Sequence, residues 1–484
     1  MKNSKLINSL QKLNPTERKK LLELVESPYF NKNEKVKQFA AILLANGTLE
    51  DEAKLDDKAV YRHIYPKAAY KKQRINDLMT YLYRLFEVFL AMEQYNTTPA
   101  IQAVDTLKGL RAKKLYKPFE KGLNELSHEL RNDNLFAEQY YLNRYFIERE
   151  SDLYFTAKDS RSKDKSIERK AHNLDVFYFT AKLKDACEML NRQNIVNEEY
   201  DLNFIDEVMA YVAANEEKLT AHPAIVIYFT IYHSLKTPEN EKHYKKLTSL
   251  LSQYTADIAD EELRLMYDYA QNYCIKKINS GNSAYLREIF MLFKALLENG
   301  VIMENGVISE WDYKNIVTVG GRLREFDWTE QFIESYRDKL PDADQQNAYT
   351  YNLASNFYSR GDYDKAMRLL LSVEFTDLYY NLGSRSLLLK IYYEMDETEA
   401  LYSLVEAFKI YLKRSKLVSK YQYTAHFNLV KFTRRLAALR NRKYATGKEV
   451  FKRDMEKLKK RIQASTEITN LNWLMAEVEK LETE

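Results

Sequence analysis

Residues 351–370 read YNLASNFYSRGDYDKAMRLL, and the fold turns on this stretch. Apolar and aromatic side chains recur at helical spacing on both sides of Gly361, a residue type that tolerates tight-turn dihedral angles. The flanking sequence repeats the pattern: 315–336 read NIVTVGGRLREFDWTEQFIESY and 385–404 read RSLLLKIYYEMDETEALYSL. Aligned, Leu323, Phe357 and Ile391 fall 34 residues apart, and so do Asp327, Gly361 and Met395. Phe332, Ala366 and Ala400 keep the same phase, as do Tyr336, Leu370 and Leu404. A small side chain at Ala366 and Ala400 lets a second helix nest against a first. One such hairpin cannot bury both of its faces, so the units must stack.

A period of 34 residues is that of the tetratricopeptide repeat. Phe357, Gly361, Tyr363 and Ala366 stand where that motif has its first-helix aromatic, turn glycine, second-helix aromatic and packing alanine. Over 313–414 the chain therefore resembles tetratricopeptide-type α-solenoids. A fourth unit is expected at 415–448, with Ala425, Leu429 and Phe432 continuing the first-helix face. Segments 263–278 and 284–297 read as another helix pair outside the 34-residue phase. The motifs SPYFNKNEKV (27–36), NYCIKKINSGN (272–282), WDYKNIV (311–317), EFDWTEQFIESY (325–336) and EFTDLYYNL (374–382) also resemble a functionally uncharacterised bacterial family of tetratricopeptide-like proteins. The resemblance implies an all-α protein, a right-handed α-solenoid of helical hairpins with an N-terminal helical cap. It carries over no catalytic residue. The expected division is a cap at 1–96, divergent hairpins at 97–312, repeats of 34-residue period at 313–448 and capping helices at 449–484.

Composition agrees with a helical reading. Among 484 residues there are 11 Gly and 8 Pro, far below the usual ~7% and ~5%. So few turn residues argue against hairpin-rich β folds and against glycine-rich phosphate loops. Apolar residues make up 45% and charged residues 30%, enough for a large core and a solvated surface. Near the N-terminus, Asn14-Pro15-Thr16-Glu17 has the order of cap, first helical proline and capping-box acid. Further helices are expected from Asn33, over 57–64, and over 68–94 with Ile75, Leu78, Met79, Leu82, Leu85, Phe86 and Phe89 on the apolar face. The charged, aromatic-free stretch 156–170 is expected to be a mobile break. Residues 301–307 contain an Asn-Gly step but are read as a loop in this helical context.

No sequence signature of catalysis is present: there is no G-x-G-x-x-G, Walker A, G-x-S-x-G or H-E-x-x-H motif. The seven histidines are scattered. Cys187 and Cys274 lie in helical apolar patterns, as packing cysteines do. The longest apolar run, 223–232, has about half the ~20 residues of a membrane span. The N-terminus lacks the apolar core of a secretory signal. These features predict a cytoplasmic, non-enzymatic protein without cofactor or metal and without membrane association.

Two surfaces carry the functional expectations. On the tetratricopeptide template, selected first-helix positions line a concave groove, here Val317, Gly321 and Arg324, then Tyr351, Ser355 and Tyr358, then Arg385, Leu389 and Tyr392. Tyrosine and arginine are typical interface anchors. The expected site is thus Arg324, Tyr351, Ser355, Tyr358, Arg385 and Tyr392, with a protein or peptide as partner. The alternative is the basic segment 409–461, which holds 18 Lys/Arg against Glu449, Asp454 and Glu456, in contrast to a net of −12 over 96–408. Lys413, Arg414, Lys431, Arg434, Arg435, Arg440, Arg442 and Lys443, interleaved with aromatics, suit phosphate contacts and base stacking. The partner would then be RNA or DNA, with the basic stretch 58–74 as a second contact. A third reading has the basic segment pairing with the acidic body.

Overall fold

The computed structural model describes the chain except residues 46, 52, 130–136, 159–164, 197–198, 343–344, 373–376, 466 and 484. Helices dominate it, and the chain is all-α, with 24 helices among the described residues. It divides into two compact units, Met1–Asp133 with Glu138–Tyr178, and essentially Phe179–Glu484.

The first unit begins with α1 (Lys5–Leu10), α2 (Pro15–Glu26), α3 (Glu34–Leu44), α4 (Asp57–Ile64) and α5 (Lys72–Asn96). Local chemistry sets these ends. The Asn14 side chain accepts from Glu17 N–H and the Glu17 carboxylate accepts from Asn14 N–H, the reciprocal capping box expected from the sequence. Asn33 and Asp56 cap α3 and α4 without the reciprocal bond, Asn33 accepting from the N–H groups of Lys35 and Val36 and Asp56 from that of Ala59. Helix α5 starts four residues later than its apolar periodicity suggested, because 68–71 stay non-helical after Pro66. Val25, Phe39, Tyr61, Leu82 and Phe86 belong to one buried cluster shared by α1–α5. A second cluster joins α6 (Pro99–Ala112), α7 (Tyr116–Glu129) and α8 (Glu138–Lys158) around Leu107, Phe119 and Tyr154. Of the break expected at 156–170, residues 159–164 lie outside the described residues, while 156–158 belong to α8 and 166–170 to α9 (Ser166–Val196), which contains the division between the units.

The second unit continues with α10 (Ile205–Ala214), α11 (Glu216–Leu219), α12 (Pro223–Lys236), α13 (Glu241–Tyr254), α14 (Asp260–Asn279) and α15 (Tyr285–Glu298). Helix α12 is buried along nearly its whole length, which explains its apolar run. Both cysteines are buried free thiols; Cys187 donates to the Tyr228 carbonyl and Cys274 to the Tyr244 hydroxyl. Residues 301–308 form a hairpin rather than the expected loop: β1 (Met303–Glu304) pairs antiparallel with β2 (Val307–Ile308). Asn305 and Gly306 both have positive φ, as a two-residue hairpin turn demands.

The last part comprises α16 (Glu310–Arg322), α17 (Phe326–Ser335), α18 (Gln345–Arg360), α19 (Tyr363–Leu371), α20 (Leu378–Glu394), α21 (Thr398–Arg414), α22 (Lys420–Arg442), α23 (Lys448–Gln463) and α24 (Leu471–Thr483). Each helix touches the next, and α16, α18, α20, α22 and α24 also touch one another in succession. The unit expected at 415–448 is different: α22 alone fills most of it, and its helical partner is α23. Ala425, Leu429 and Phe432 are buried as expected.

Candidate functional site

Three turns fix the register of α16–α21. Arg324, Gly361 and Asp396 each adopt positive φ. At each turn the next residue donates back to a carbonyl near the helix end: Glu325 to Gly320, Asp362 to Phe357 and Glu397 to Tyr392, all at 2.9 Å. This is one C-cap motif used three times. The equivalent turn residues are therefore 37 and 35 residues apart, not 34. Thr329, Ala366 and Leu401 occupy matching places four residues beyond these donors, and all three are fully buried. Ala400, expected at that place, is only half-buried. The slip reflects turn chemistry: a left-handed residue is needed at each turn, and arginine and aspartate supply it where no glycine marks it.

A cavity of about 560 Å³ opens on α16, α18 and α20. Its lining includes Lys314, Thr318 and Arg322 from α16, Tyr351, Ser355, Tyr358 and Ser359 from α18, and Ser386 and Lys390 from α20. Gln422 and His426 from α22 complete one side. Gly383 is required here: a Cβ on it would lie 2.9 Å from the Tyr351 ring. The Glu394 carboxylate accepts from the hydroxyls of Tyr358 and Tyr363 and, at 2.8 Å, from Trp473 Nε1. Burial and this carboxylate push the Tyr358 phenol well up. Lys390 Nζ stands 4.3 Å from the Tyr358 ring centroid, and burial pulls its ammonium down to about 8. Lys314 Nζ stands 4.6 Å from the Tyr379 ring centroid and is also pulled down by burial. His426 Nδ1 lies 3.1 Å from Ser386 Oγ, and burial lowers its imidazole to about 4.

Of the six expected groove residues, Tyr351, Ser355 and Tyr358 line this cavity. The other three do not. Arg324 is the exposed turn residue itself. Arg385 lies over the Tyr411 ring at 4.6 Å, beside a separate cleft that includes Arg414. Tyr392 packs against the apolar cluster of α20–α24. The physical reason is the register: a 34-residue spacing misplaces the α16 positions by three residues and the α20 positions by one. Corrected, those positions become Lys314, Thr318 and Gly321, and Ser386, Lys390 and Tyr393. Sequence reasoning thus missed Lys314 and Lys390. An insertion-tolerant alignment keyed to the helix ends would have found them.

The basic residues do not form one face. Arg440 is structural: it donates to the Tyr393 carbonyl at 2.7 Å, pairs with Asp396 at 2.5 Å and lies 4.2 Å from the Tyr393 ring centroid. Arg434 pairs with Glu406 at 3.1 Å, and Lys431 stands over the Phe432 ring. Lys413 and Arg414 occupy the last turn of α21, where cations oppose the helix dipole favourably. Arg435 and Arg442 instead share a cleft of about 270 Å³ with Lys457 and Arg461 from α23. Lys443 lines a different pocket with Tyr444, Lys448 and Lys452 over Phe451, Met455 and Leu481.

Among the described residues, no group of three or more His, Cys, Asp or Glu is placed to hold a metal ion. Nor is any described helix long and apolar enough to cross a membrane. No protein-family model, curated protein or solved structure matches the chain.

Proposed function

We propose that α16–α24 form a right-handed, tetratricopeptide-like solenoid, and that the protein is a non-enzymatic scaffold holding a partner peptide in the concave groove of α16, α18 and α20. The remainder of the proposal is a helical cap at 1–96 and divergent hairpins up to 312. One observation carries the reading: first helices of three successive hairpins bring polar and aromatic side chains to a single cavity of about 560 Å³. That volume lies within the range of ligand sites. Buried, unbridged thiols at Cys187 and Cys274 suit a reducing, cytoplasmic setting.

Plugging the cavity tests the reading. Ser355→Trp adds bulk where α18 faces the space, and tryptophan is tolerated in helices. The expected outcome is loss of partner capture with an unchanged far-UV circular dichroism spectrum. Undiminished capture would remove the groove from the account.

A second reading, association with RNA or DNA, is favoured by the cleft of Arg435, Arg442, Lys457 and Arg461, four cations on two adjacent helices with Asp454 as the carboxylate among its lining. It predicts binding that weakens steeply with salt, and a salt slope reduced by about one for each of these cations removed.

A further inference from the structure

The cavity is polar, and its charge is one-sided. Lys314, Arg322 and Lys390 line it, and no Asp or Glu does. Among the described residues, neither Lys314 nor Lys390 has a carboxylate within ion-pair distance. Their neighbours are rings: Tyr379 and Trp311 for Lys314, Tyr358 and Trp473 for Lys390. Rings offset part of the loss of water around an ammonium but not all of it. Glu394 lies on the same helix as Lys390, yet its oxygens already accept from Tyr358, Tyr363 and Trp473. Two half-buried ammonium groups therefore face one cavity without the oxygen partners that such groups normally have.

We infer that the groove takes an acidic peptide segment, whose carboxylates seat at the Lys314 and Lys390 ammonium groups. The inference rests on the groove reading and names the chemistry of its partner. Charge complementarity selects this occupant, since the cationic lining would repel a basic segment and leave the ammoniums unpaired against a neutral one. The Tyr351 and Ser355 hydroxyls add donors and acceptors for the peptide backbone.

The groups around Lys390 give the proposal a pH signature. On its own helix stands Glu394; Tyr358 of α18 and Trp473 of α24 present their rings, Glu477 of α24 acts on Tyr358, and Lys314 and Arg322 of α16 and His426 of α22 line the same cavity. Tyr358 is pushed well up and His426 down to about 4, so neither titrates between pH 7 and 9. Lys390, at about 8, does. A carboxylate that needs its ammonium form binds about tenfold more weakly at pH 9 than at pH 7. Lys390→Met abolishes that pH step, and a step that persists in this variant would contradict the seating of a carboxylate at Lys390.

The test uses fluorescence anisotropy on the full chain with two labelled probes, a Gly-Glu repeat peptide and its Gly-Gln counterpart. The Glu probe is expected to bind about tenfold or more tightly than the Gln probe, and Lys314→Met with Lys390→Met to erase the difference. Lys390→Arg, which keeps the charge, retains most of the binding and guards against misfolding. Arg435→Gln with Arg461→Gln, outside the cavity, leaves it unchanged. Equal binding of both probes, lost in Ser355→Trp, would overturn the acidic assignment and leave the groove reading standing. Loss of Glu-probe binding only in the Arg435/Arg461 variant would overturn the assignment by placing the site on the basic cleft. Binding of neither probe would also overturn it, while partner capture by Ser355→Trp separately decides the groove.

Discussion

The cavity of α16, α18 and α20 and the cleft between α22 and α23 both gather positive charge, and they hold it differently. In the cleft, Arg435 and Arg442 are exposed and water solvates them. In the cavity, Lys314 and Lys390 are half-buried against rings, and their ammoniums are pulled down. The segment that holds the cleft has far more cations, yet part of its charge is spent on ion pairs within the chain. Arg440 clamps the turn at Asp396, and Arg434 and Lys409 share Glu406. Charge count along the chain therefore says less about ligands than desolvation and pairing do. A solvated cation gains little from one more anion. A desolvated one without a counter-ion gains much more.

The comparison depends first on the register that builds the cavity, so the largest expected effect lies there. Leu401→Ala should cost about 3 kcal/mol, because Leu401 is fully buried where α21 packs on α20. Ala400→Ser should change stability by less than about 0.5 kcal/mol. Chemical denaturation of both variants checks this; the reverse ranking would restore the 34-residue phase.

An intermediate effect separates the committed from the uncommitted arginines. Arg440→Gln loses the bond to the Tyr393 carbonyl and the pair with Asp396, a cost of about 1–2 kcal/mol of unfolding free energy. Arg435→Gln should leave stability within about 0.5 kcal/mol and lower only the salt slope of any polyanion binding. Equal destabilisation by the two would erase the distinction between them.

At neutral pH the smallest effect concerns the cavity wall, and it grows only as the pH falls. His426 is held neutral by burial, with its pKa lowered from 6.5 to about 4. Between those values the unfolded chain binds a proton that the folded chain does not, so stability contributed at neutral pH is lost as pH falls through this window. Thermal unfolding of wild type against His426→Phe should show the wild type losing ground from pH 6.5 towards pH 4. Parallel curves would mean that the imidazole is solvated.

Much of the helical fold was legible because it is written locally. Asn14, Pro15 and Glu17 specify their helix start within four residues, and Asn33 and the 57–64 helix are equally self-contained. The repeat register was not legible, because it depends on a backbone conformation that three different residue types adopt. Gly361 advertises its turn; Arg324 and Asp396 do not. Tyr351, Ser355 and Tyr358 were found because they lie on the helix that Gly361 ends, and Lys314 and Lys390 were missed because the phase slipped on either side. The hairpin at 303–308 did carry its Asn-Gly signal, which the helical context outweighed. The fate of the arginines could not be read from sequence at all, since Asp396 and Arg440 meet only through packing.

The most direct measurement is affinity co-purification of tagged wild type and Ser355→Trp from native lysate, with and without nuclease, read by mass spectrometry. The groove account predicts a partner set that survives nuclease and is lost in Ser355→Trp. A set that persists in Ser355→Trp, or that collapses with nuclease, would contradict it and move the function to the basic cleft.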